Sequence, residues 1–449
     1  MLESKRIVHG ATGYITAKVT SGHGLGYTKI RKTHGEDGAR TYAEANQAAL
    51  ERIAQFVDED GIDCDFERKT NYAYAEDEQQ KAQVKQEVEA EQAAGLPASL
   101  VRETPLPFPV TAAVRLKNQA QFHSRKYLLA LAATIPGDGS HVFEQSRVQT
   151  VKHGEPCQVI AEHGVVRAAD VVVATHLPIL DRGLFFAKAS PHRSYALCAP
   201  IGPGVAPDGM FINAGTPTRS VRTMPDGDRL YINVGGNGHK VGEEDDTPAR
   251  YEQLEAFLRE HWPSAGEVEY RWSTQDYMPH DQVPYIGRVR RGADHLYTAT
   301  AYNKWGMTNG TAGAMIISDS ILGRANPWAD VFDARRLPPR SVLRRFAKEN
   351  ANAGRHFFAD RLRPSDKSSA DDLRPGEGAI VGRVRKKAVY RDDDGTVHAL
   401  SPVCRHLWCL VDWNPAERSW DCPCHGSRYA ADGRVIQGPA TKDLKKREL

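Results

Sequence analysis

Four residues near the end of the chain have the types and the spacing of a metal site. They stand in two short loops, as Cys404 with His406 and as Cys422 with His425, so that each loop offers one thiol and one imidazole. A zinc finger usually groups its ligands as a cysteine pair followed by a histidine pair. In one type of [2Fe–2S] centre, two thiolates hold one iron and two imidazoles hold the other, and this mixed arrangement supplies those ligands. The pattern therefore favours an iron–sulfur cluster, with a structural zinc site as the alternative.

The residues around these ligands resemble the Rieske [2Fe–2S] signature. The resemblance is carried by the run CPCHGS at 422–427 and by Gly-Pro-Ala at 438–440. It implies that the four residues above bind a Rieske-type cluster in a small, all-β domain.

The resemblance is closest to Rieske proteins of the cytochrome bc type, and it implies further roles. In that subgroup the positions of Cys409 and Cys424 form a disulfide that clamps the two ligand loops. Closing a loop of about 15 residues contributes roughly 3 kcal/mol in the chain-entropy model. Two reduced thiols are the alternative in a cytosolic protein. The hydroxyls of Ser427 and Tyr429 would donate hydrogen bonds to sulfur and raise the cluster potential.

Length and charge limit the classes of protein. A chain of 449 residues is too long for one such domain and suits two or three. With 59 basic and 57 acidic residues the net charge is only +2, so nothing indicates nucleic acid as a partner. No apolar run approaches the roughly 20 residues that span a bilayer. We expect a cytoplasmic protein without a transmembrane segment, for which peripheral association with a membrane stays open.

The elements that precede the cluster loops indicate a mixed α/β domain. Apolar periodicity predicts core-facing helices over 41–58 and 123–135, and the polar stretch 75–95 predicts a solvated surface helix. The run DVVVATH at 170–176 has the uninterrupted apolar character of a parallel strand buried on both faces, with a ligand crevice at its carboxyl end. Residues from about 190 to 290 are rich in strand and turn signals.

Four runs before the cluster loops resemble the FAD-dependent D-amino-acid oxidase/glycine oxidase superfamily, in particular its members with a C-terminal Rieske domain. They are TGYITAK at 12–18, VVATH at 172–176, DQVPYIG at 281–287 and NKWGMTNG at 303–310. Together with the Rieske signature, the resemblance covers nearly the whole chain.

The resemblance implies an α/β fold with an all-β C-terminal module. An FAD-dependent oxidoreductase domain would occupy 1–323, as a Rossmann-like FAD-binding part with an interleaved mixed-sheet substrate part mainly at about 190–290. A linker over 324–371 would lead to the Rieske domain at 372–449. The expected cofactors are FAD and a Rieske-type 2Fe–2S cluster.

A set of FAD-binding residues follows from the same resemblance. Glu3 takes the acidic position that binds the adenosine ribose, and Val148 would meet the adenine through its backbone. A helix beginning at 306–310 would favour the negative charge of reduced flavin, because helix-terminal N–H groups stabilise anions. The set comprises Glu3, Thr12, Gly13, Val148, Ala174, Thr175, Gly306, Met307, Thr308, Asn309 and Gly310.

The strand–GxGxxG–helix unit expected some 20 residues before Glu3 does not occur in this sequence. We therefore expect the coding sequence to continue upstream in frame and to encode that unit.

Candidate catalytic residues are fewer. Lys18 and Lys304 lie in the flavin-facing runs and could contact a substrate or activate an acceptor, with plain surface charges as the alternative. Arg219 and Arg222 could form the guanidinium fork that holds a substrate carboxylate, with ordinary surface arginines as the alternative.

The combination predicts an FAD-dependent oxidoreductase of dehydrogenase type. It would oxidise the C–N bond of an amine or amino-acid-like substrate and pass electrons one at a time through the cluster to an external acceptor. A fused one-electron carrier has no use in a simple oxidase, because oxygen reoxidises the flavin directly. The alternative is a Rieske electron-transfer protein whose flavin domain is a non-catalytic scaffold.

Overall fold

The computed structural model describes residues 1–449 except for 181–182, 243–245, 345, 349, 352–353, 355–361, 383–384 and 449. The strands up to Thr300 are, in order, β1 (Lys18–Val19), β2 (Glu67–Ala75), β3 (Ser99–Val101), β4 (Ala112–Gln121), β5 (Val148–Lys152), β6 (Cys157–Ala161), β7 (Gly164–Ala168), β8 (Val171–Val173), β9 (Ala189–Pro200), β10 (Met210–Asn213), β11 (Arg219–Asp226), β12 (Arg229–Lys240), β13 (Tyr270–Pro279), β14 (Tyr285–Arg288) and β15 (Leu296–Thr300). The helices are α1 (Tyr27–Glu59), α2 (Glu78–Ala93), α3 (Ser124–Ala133), α4 (Phe185–Lys188), α5 (Thr247–His261), α6 (Gly306–Ile321) and α7 (Ala329–Phe332). The last strands are β16 (Gly378–Val381), β17 (Lys387–Arg391), β18 (Val397–Leu400), β19 (Asp412–Asn414), β20 (Ser419–Asp421), β21 (Arg428–Ala430) and β22 (Val435–Gln437).

A large mixed sheet forms the centre of the N-terminal domain. Its strand order is β1-β4-β2-β10-β11-β12-β9-β13, and β3 pairs with β4. Burial alternates along β13, because successive side chains of a strand point to opposite faces. Residues of β9 and β12 pack against α5 in a core that includes Leu254 and Trp262. The predicted strand-rich segment from 190 to 290 is confirmed.

A smaller sheet of β14, β15 and β8 lies under α6. The predicted strand in 170–176 exists as β8 and runs parallel to β15. Its predicted burial on both faces is wrong, because Val172 lines a cavity and is 45% exposed. Apolar character alone could not distinguish a face that packs against other elements from a face that borders a cavity.

The predicted helices over 41–58, 75–95 and 123–135 correspond to α1, α2 and α3. Helix α1 is longer than predicted, and its first turns precede a break at Gly35, whose φ is +75°. The prediction that α2 is a solvated surface helix is wrong for one face, where Glu87 and Glu91 are fully buried.

Burial of Glu87 has a local cause at the start of α1. Its carboxylate accepts hydrogen bonds from the backbone N–H groups of Tyr27, at 2.6 Å, and Thr28, at 3.0 Å. These N–H groups have no partner within their own helix, and a carboxylate there also meets the positive end of the helix dipole. Helix α2 therefore caps helix α1.

The C-terminal domain consists of two small sheets, β16-β17-β18 and β19-β20-β21-β22. Trp420 and Tyr429 lie at the centre of its core with the cluster-loop cysteines. Part of the predicted linker, including 355–361, lies outside the described residues, and Lys367 already bridges to Val381. Among the residues that the structure describes, no helix is long and apolar enough to cross a membrane.

Candidate functional site

A cavity of about 2390 Å³ lies among the three sheets of the N-terminal domain, the third of which is formed by β5, β6 and β7, and it reaches the C-terminal domain. Residues of both domains form its wall, and those of the C-terminal domain include Arg428, Gln437 and Gly438. The predicted FAD-binding and catalytic residues that line this cavity are Glu3, Thr12, Lys18, Val148, Ala174, Thr175, Lys304, Gly306, Met307 and Gly310.

Three predicted FAD-binding residues lie behind the wall instead. A Cβ on Gly13 would be 2.1 Å from the carbonyl oxygen of Val8, so the glycine is required by a tight turn. The hydroxyl of Thr308 lies 3.2 Å from His23 Nε2. The amide of Asn309 donates to the hydroxyl of Tyr42 at 3.2 Å. The side chains of Thr308 and Asn309 therefore hold the first turn of α6 in place.

The N-terminal end of α6 opens into the cavity without a side-chain cap. Trp305, the residue before the helix, stacks on His23 with 4.6 Å between the ring centroids. Burial lowers the pKa of His23 to about 3, so its imidazole is neutral at physiological pH. The free N–H groups of the helix are therefore available for an acceptor in the cavity.

The two candidate catalytic lysines both reach the cavity. Lys18 Nζ donates to the carbonyl of Phe211 at 3.0 Å. Burial, with a smaller contribution from the Arg222 guanidinium, lowers the pKa of Lys18 to about 7. Burial also lowers the pKa of Lys304, whose backbone N–H donates to Asp276 Oδ2 at 2.5 Å.

The two candidate arginines do not line the described wall of the cavity. Arg222 is buried near the carbonyls of Ala17 and Phe122, and burial lowers its pKa to about 10. Arg219 donates to Asn237 and lies over the ring of Phe257. Neither fits the expected fork for a substrate carboxylate, and the notion that Arg222 is a surface residue is wrong as well.

The four predicted cluster ligands come together at the tips of the two loops. The thiols of Cys404 and Cys422 are buried and unoxidised, and a hydrogen bond between them lowers the pKa of Cys404 to about 6. The rings of His406 and His425 lie 5.2 Å apart at nearly a right angle. Each loop thus presents one sulfur and one imidazole to the same space.

Cys409 and Cys424 form a disulfide, which confirms that prediction. Their sulfurs and that of Cys422 all lie within 4.8 Å of one another. The two bonded sulfurs have no thiolate to offer a metal, so Cys422 is the metal-binding candidate of this group. The disulfide therefore covers the cysteine side of the predicted cluster.

Two hydroxyls approach Cys404. Tyr429 Oη lies 3.2 Å from the Cys404 sulfur and accepts a hydrogen bond from the backbone N–H of Arg405 at 2.9 Å. The Ser427 hydroxyl also bonds that sulfur, and its oxygen accepts from the N–H of Ala440 at 3.0 Å. Burial and the neighbouring Cys404 raise the pKa of Tyr429, so its hydroxyl keeps its proton.

Buried polar contacts hold the cluster loops against the N-terminal domain. Arg193 NH2 donates to Asp421 Oδ2 at 2.6 Å, with 1% and 9% of the two side chains exposed. Burial by itself would raise the pKa of Asp421, but the positive charges of Arg193 and then Arg428 lower it, and the net result is a pKa of about 2. Gln275 donates to the carbonyl of Gly426 at 2.8 Å. These contacts could not be predicted from the sequence, because each joins residues more than 150 positions apart.

Comparison with known families decides the identity. Residues 1–320 match the family model described as FAD dependent oxidoreductase, and residues 367–448 match the Rieske [2Fe-2S] domain. The chain belongs to the FAD-dependent oxidoreductases and carries a C-terminal Rieske domain. The N-terminal domain is thus a flavin domain that binds FAD, and the C-terminal domain binds a 2Fe–2S cluster.

One curated relative matches the whole length of this oxidoreductase, and another matches a short part of it. A Rieske 2Fe-2S iron-sulfur protein of Bacillus subtilis (strain 168), YhfW, is 34% identical over 454 residues, which cover 100% of this chain and 88% of the relative. The cytochrome b6-f complex iron-sulfur subunit of Synechococcus sp. (strain JA-3-3Ab) is 54% identical over 54 residues, 12% of this chain and 31% of that subunit.

Solved structures share the fold of the flavin domain. Glycine oxidase from Geobacillus kaustophilus has a TM-score of 0.62 at 14% identity and covers 75% of this chain and 91% of its own. L-proline dehydrogenase from P. horikoshii has a TM-score of 0.61 at 17% identity and covers 74% and 89%.

Proposed function

We propose that this oxidoreductase is a dehydrogenase that oxidises the C–N bond of an amine or amino-acid-like substrate and delivers the electrons singly, through its Rieske cluster, to an external one-electron acceptor. The observation that carries the proposal is the shared wall of the cavity. Gln437 and Gly438 of the Rieske domain line the same space as the flavin-facing Gly306 and Met307. A Rieske domain that only served a separate protein would have no reason to form part of this wall.

The residues at the cavity fit FAD. Glu3 accepts a hydrogen bond from the N–H of Lys5 at 2.9 Å and presents its carboxylate at the cavity wall, as a ribose ligand requires. Thr12, Val148, Ala174 and Thr175 continue the wall toward α6. The uncapped N-terminus of α6 would hold the electron-rich edge of the flavin. Gly13, Thr308 and Asn309 act here as supports for residues that touch the cofactor.

The cluster loops fit a Rieske centre of mixed ligation. Cys404 and Cys422 would hold one iron, and His406 and His425 the other. The neighbouring Cys404 and then burial raise the pKa of the Cys422 thiol, and the backbone N–H groups of His425 and Cys424, which bond its sulfur, act in the opposite direction. Such donors stabilise a sulfur that carries negative charge, so the loops are suited to an iron-bound thiolate.

Substrate oxidation would depend on side chains of the cavity that exchange a proton with the substrate or orient it. FAD would supply the acceptor for a hydride equivalent from the carbon beside the nitrogen. Lys18, with a pKa of about 7, can hold or release a proton at Nζ near neutral pH. Lys304 is fixed through its backbone to Asp276 and contributes its amine side chain to the same wall. These lysines, rather than Arg219 or Arg222, would orient an anionic group of the substrate.

The test is anaerobic mixing of the oxidised holoprotein with amines and amino acids. Bleaching of the flavin absorbance should be followed by the EPR signal of the reduced cluster. Cys404→Ser should lose the cluster signal while the FAD that it still binds keeps bleaching, whereas Cys64→Ser, a buried cysteine far along the chain from the loops, should keep both signals. Flavin bleaching without cluster reduction in the wild type would contradict the electron route, and a purified protein without flavin would favour the scaffold alternative.

A further inference from the structure

Strand β13 passes between the cavity and the cluster loops. Gln275, Asp276 and Met278 line the cavity, whereas the side chain of Tyr277 points into the contact with the Rieske domain and is completely buried. The Tyr277 hydroxyl donates to the carbonyl of the predicted ligand His425 at 3.0 Å. One residue thus joins a strand of the cavity wall to the backbone of a cluster ligand.

His176 connects the cavity to the ring of Tyr277. It lines the cavity, and its imidazole meets the Tyr277 ring edge-on with 4.8 Å between the centroids. Gln437 Nε2 lies 2.9 Å from His176 Nδ1, and His176 Nε2 lies 3.2 Å from Asp276 Oδ1. Because the amide nitrogen can only donate, His176 Nδ1 accepts and Nε2 carries the proton toward Asp276.

The backbone around this contact is held in a conformation that L-residues rarely adopt. The φ angles of His176, Asn303 and Lys304 are +67°, +55° and +69°. Asp276 Oδ2 accepts from the N–H of Lys304, and the Tyr277 carbonyl accepts from Asn303. Such backbone costs free energy and persists where the surroundings fix it, often at functional sites. Asn303 and Lys304, in the loop before α6, are therefore connected to Tyr277 and, through Asp276, to His176.

We propose that Tyr277, contacted by His176, is the bridge by which electrons cross from the flavin cavity to the Rieske cluster, an inference that rests on the proposed function. Electronic coupling falls off more slowly through covalent bonds, hydrogen bonds and ring contacts than across a gap. Each crossing moves one electron and no atom: the reduced flavin loses one electron, and one ferric ion of the cluster becomes ferrous. Two crossings, each followed by transfer to the external one-electron acceptor, reoxidise the flavin, and its protons leave to solvent.

Phe186 is the competing route. Its ring meets the imidazoles of His406 and His425 edge-on, at 5.9 and 5.1 Å between centroids. Among the described residues that line the cavity, however, Phe186 does not appear. Tyr277 is in contact with both sides, through His176 on one and His425 on the other.

The experiment is pulsed photoreduction of the holoprotein with a deazaflavin and a sacrificial donor, without substrate. The phase whose rate is independent of protein concentration reports transfer between flavin and cluster, and the bridge is the same for either direction. Flavin absorbance and freeze-quench EPR of the reduced cluster follow it. Tyr277→Phe, which keeps the ring but loses the bond to His425, should slow this phase severalfold, and Tyr277→Leu should slow it by a further severalfold.

Two other variants distinguish the loss of the bridge from a weakened contact between the flavin domain and the Rieske domain. Thr247→Val removes a buried interdomain hydrogen bond to Asn414, 3.0 Å long, and should leave the rate unchanged. Phe186→Leu should also leave it within twofold. An unchanged rate in Tyr277→Phe and Tyr277→Leu, or a loss in Phe186→Leu instead, would overturn the bridge while leaving the proposed function standing.

Failure of the electron route in the proposed function looks different, because no transfer phase would then appear in the wild type, and failure of amine oxidation would appear only in the anaerobic mixing with substrate. If Tyr277→Leu does not retain its cluster, Tyr277→Phe decides alone, with flavin and iron content measured for each protein.

Discussion

The hydroxyl of Tyr429 should set part of the cluster potential. It lies 3.2 Å from the Cys404 sulfur, it is fully buried, and its raised pKa keeps the donor proton in place. Reduction adds negative charge to the cluster and its sulfurs, so this hydrogen bond is stronger in the reduced state. Tyr429→Phe removes the donor and should lower the midpoint potential.

The size of the shift follows from one hydrogen bond. A net contribution of about 0.5–1.5 kcal/mol is typical of a neutral donor. For a one-electron couple about 59 mV corresponds to about 1.4 kcal/mol, so the expected fall is about 20–60 mV. Ser427→Ala should produce a shift of similar sign, because its hydroxyl bonds the same sulfur. With both donors present, the wild-type midpoint should lie in the positive half of the Rieske range of roughly −150 to +300 mV.

The assay is a redox titration of the full-length protein, followed by EPR of the reduced cluster. Tyr390→Phe is the matched control, since Tyr390 lies in the same core and its ring packs at an angle against Trp413. An unmoved midpoint in Tyr429→Phe, with the iron content preserved, would refute the reasoning. A shift of equal size in the control would refute it too.

Further predictions concern stability. Arg193→Met should cost about 3–5 kcal/mol in chemical denaturation, because it leaves the buried Asp421 carboxylate short of a partner. Since the pKa of Asp421 is lowered from 3.8 to about 2, its stabilising contribution in the wild type should be complete above pH 3.8 and be lost as the pH falls through 2, as read from acid denaturation. Cys409→Ser should remove the disulfide, cost about 3 kcal/mol and lower the temperature at which cluster absorbance bleaches, with no further effect of added reductant. Between pH 7 and 10.5 Lys18 binds a proton in the unfolded chain but not in the folded one, so the free energy of unfolding, measured by calorimetry, should rise with pH in the wild type. The rise should be smaller in Lys18→Met and the same as in the wild type in the control Lys126→Met.

The parts of this protein that could be predicted from sequence are those encoded by local patterns. The cluster loops and the run before α6 carry their predicted chemistry in consecutive residues, and the structure brings Cys404 close to Cys422 and His406 close to His425. Burial of Glu87 could not be predicted, because the N–H groups that it caps lie 59 residues or more away. Tyr277 escaped notice for the same reason, since its partner His425 is 148 positions distant.

Arg222 shows a different limit. An arginine in a strand is most often at the surface, but here one face of its sheet is covered by other elements of the flavin domain. Only the packing of strands that are far apart in the chain determines which face is covered.

Because both domains form the wall of the cavity, the supply of one cofactor in the cell should affect how much of the other is bound. A Cβ on Gly426 would lie 2.4 Å from Gln275 Nε2, and a Cβ on Gly242 would lie 2.1 Å from Pro423, so the flavin domain is shaped closely around the folded cluster loop. A cell that is short of iron would leave that loop without its cluster and the wall of the flavin cavity without its support. We expect protein produced under iron limitation to contain less FAD per chain as well as less iron, measured as flavin absorbance against protein. Iron supply would then limit the amount of FAD-loaded protein as well as the amount of cluster.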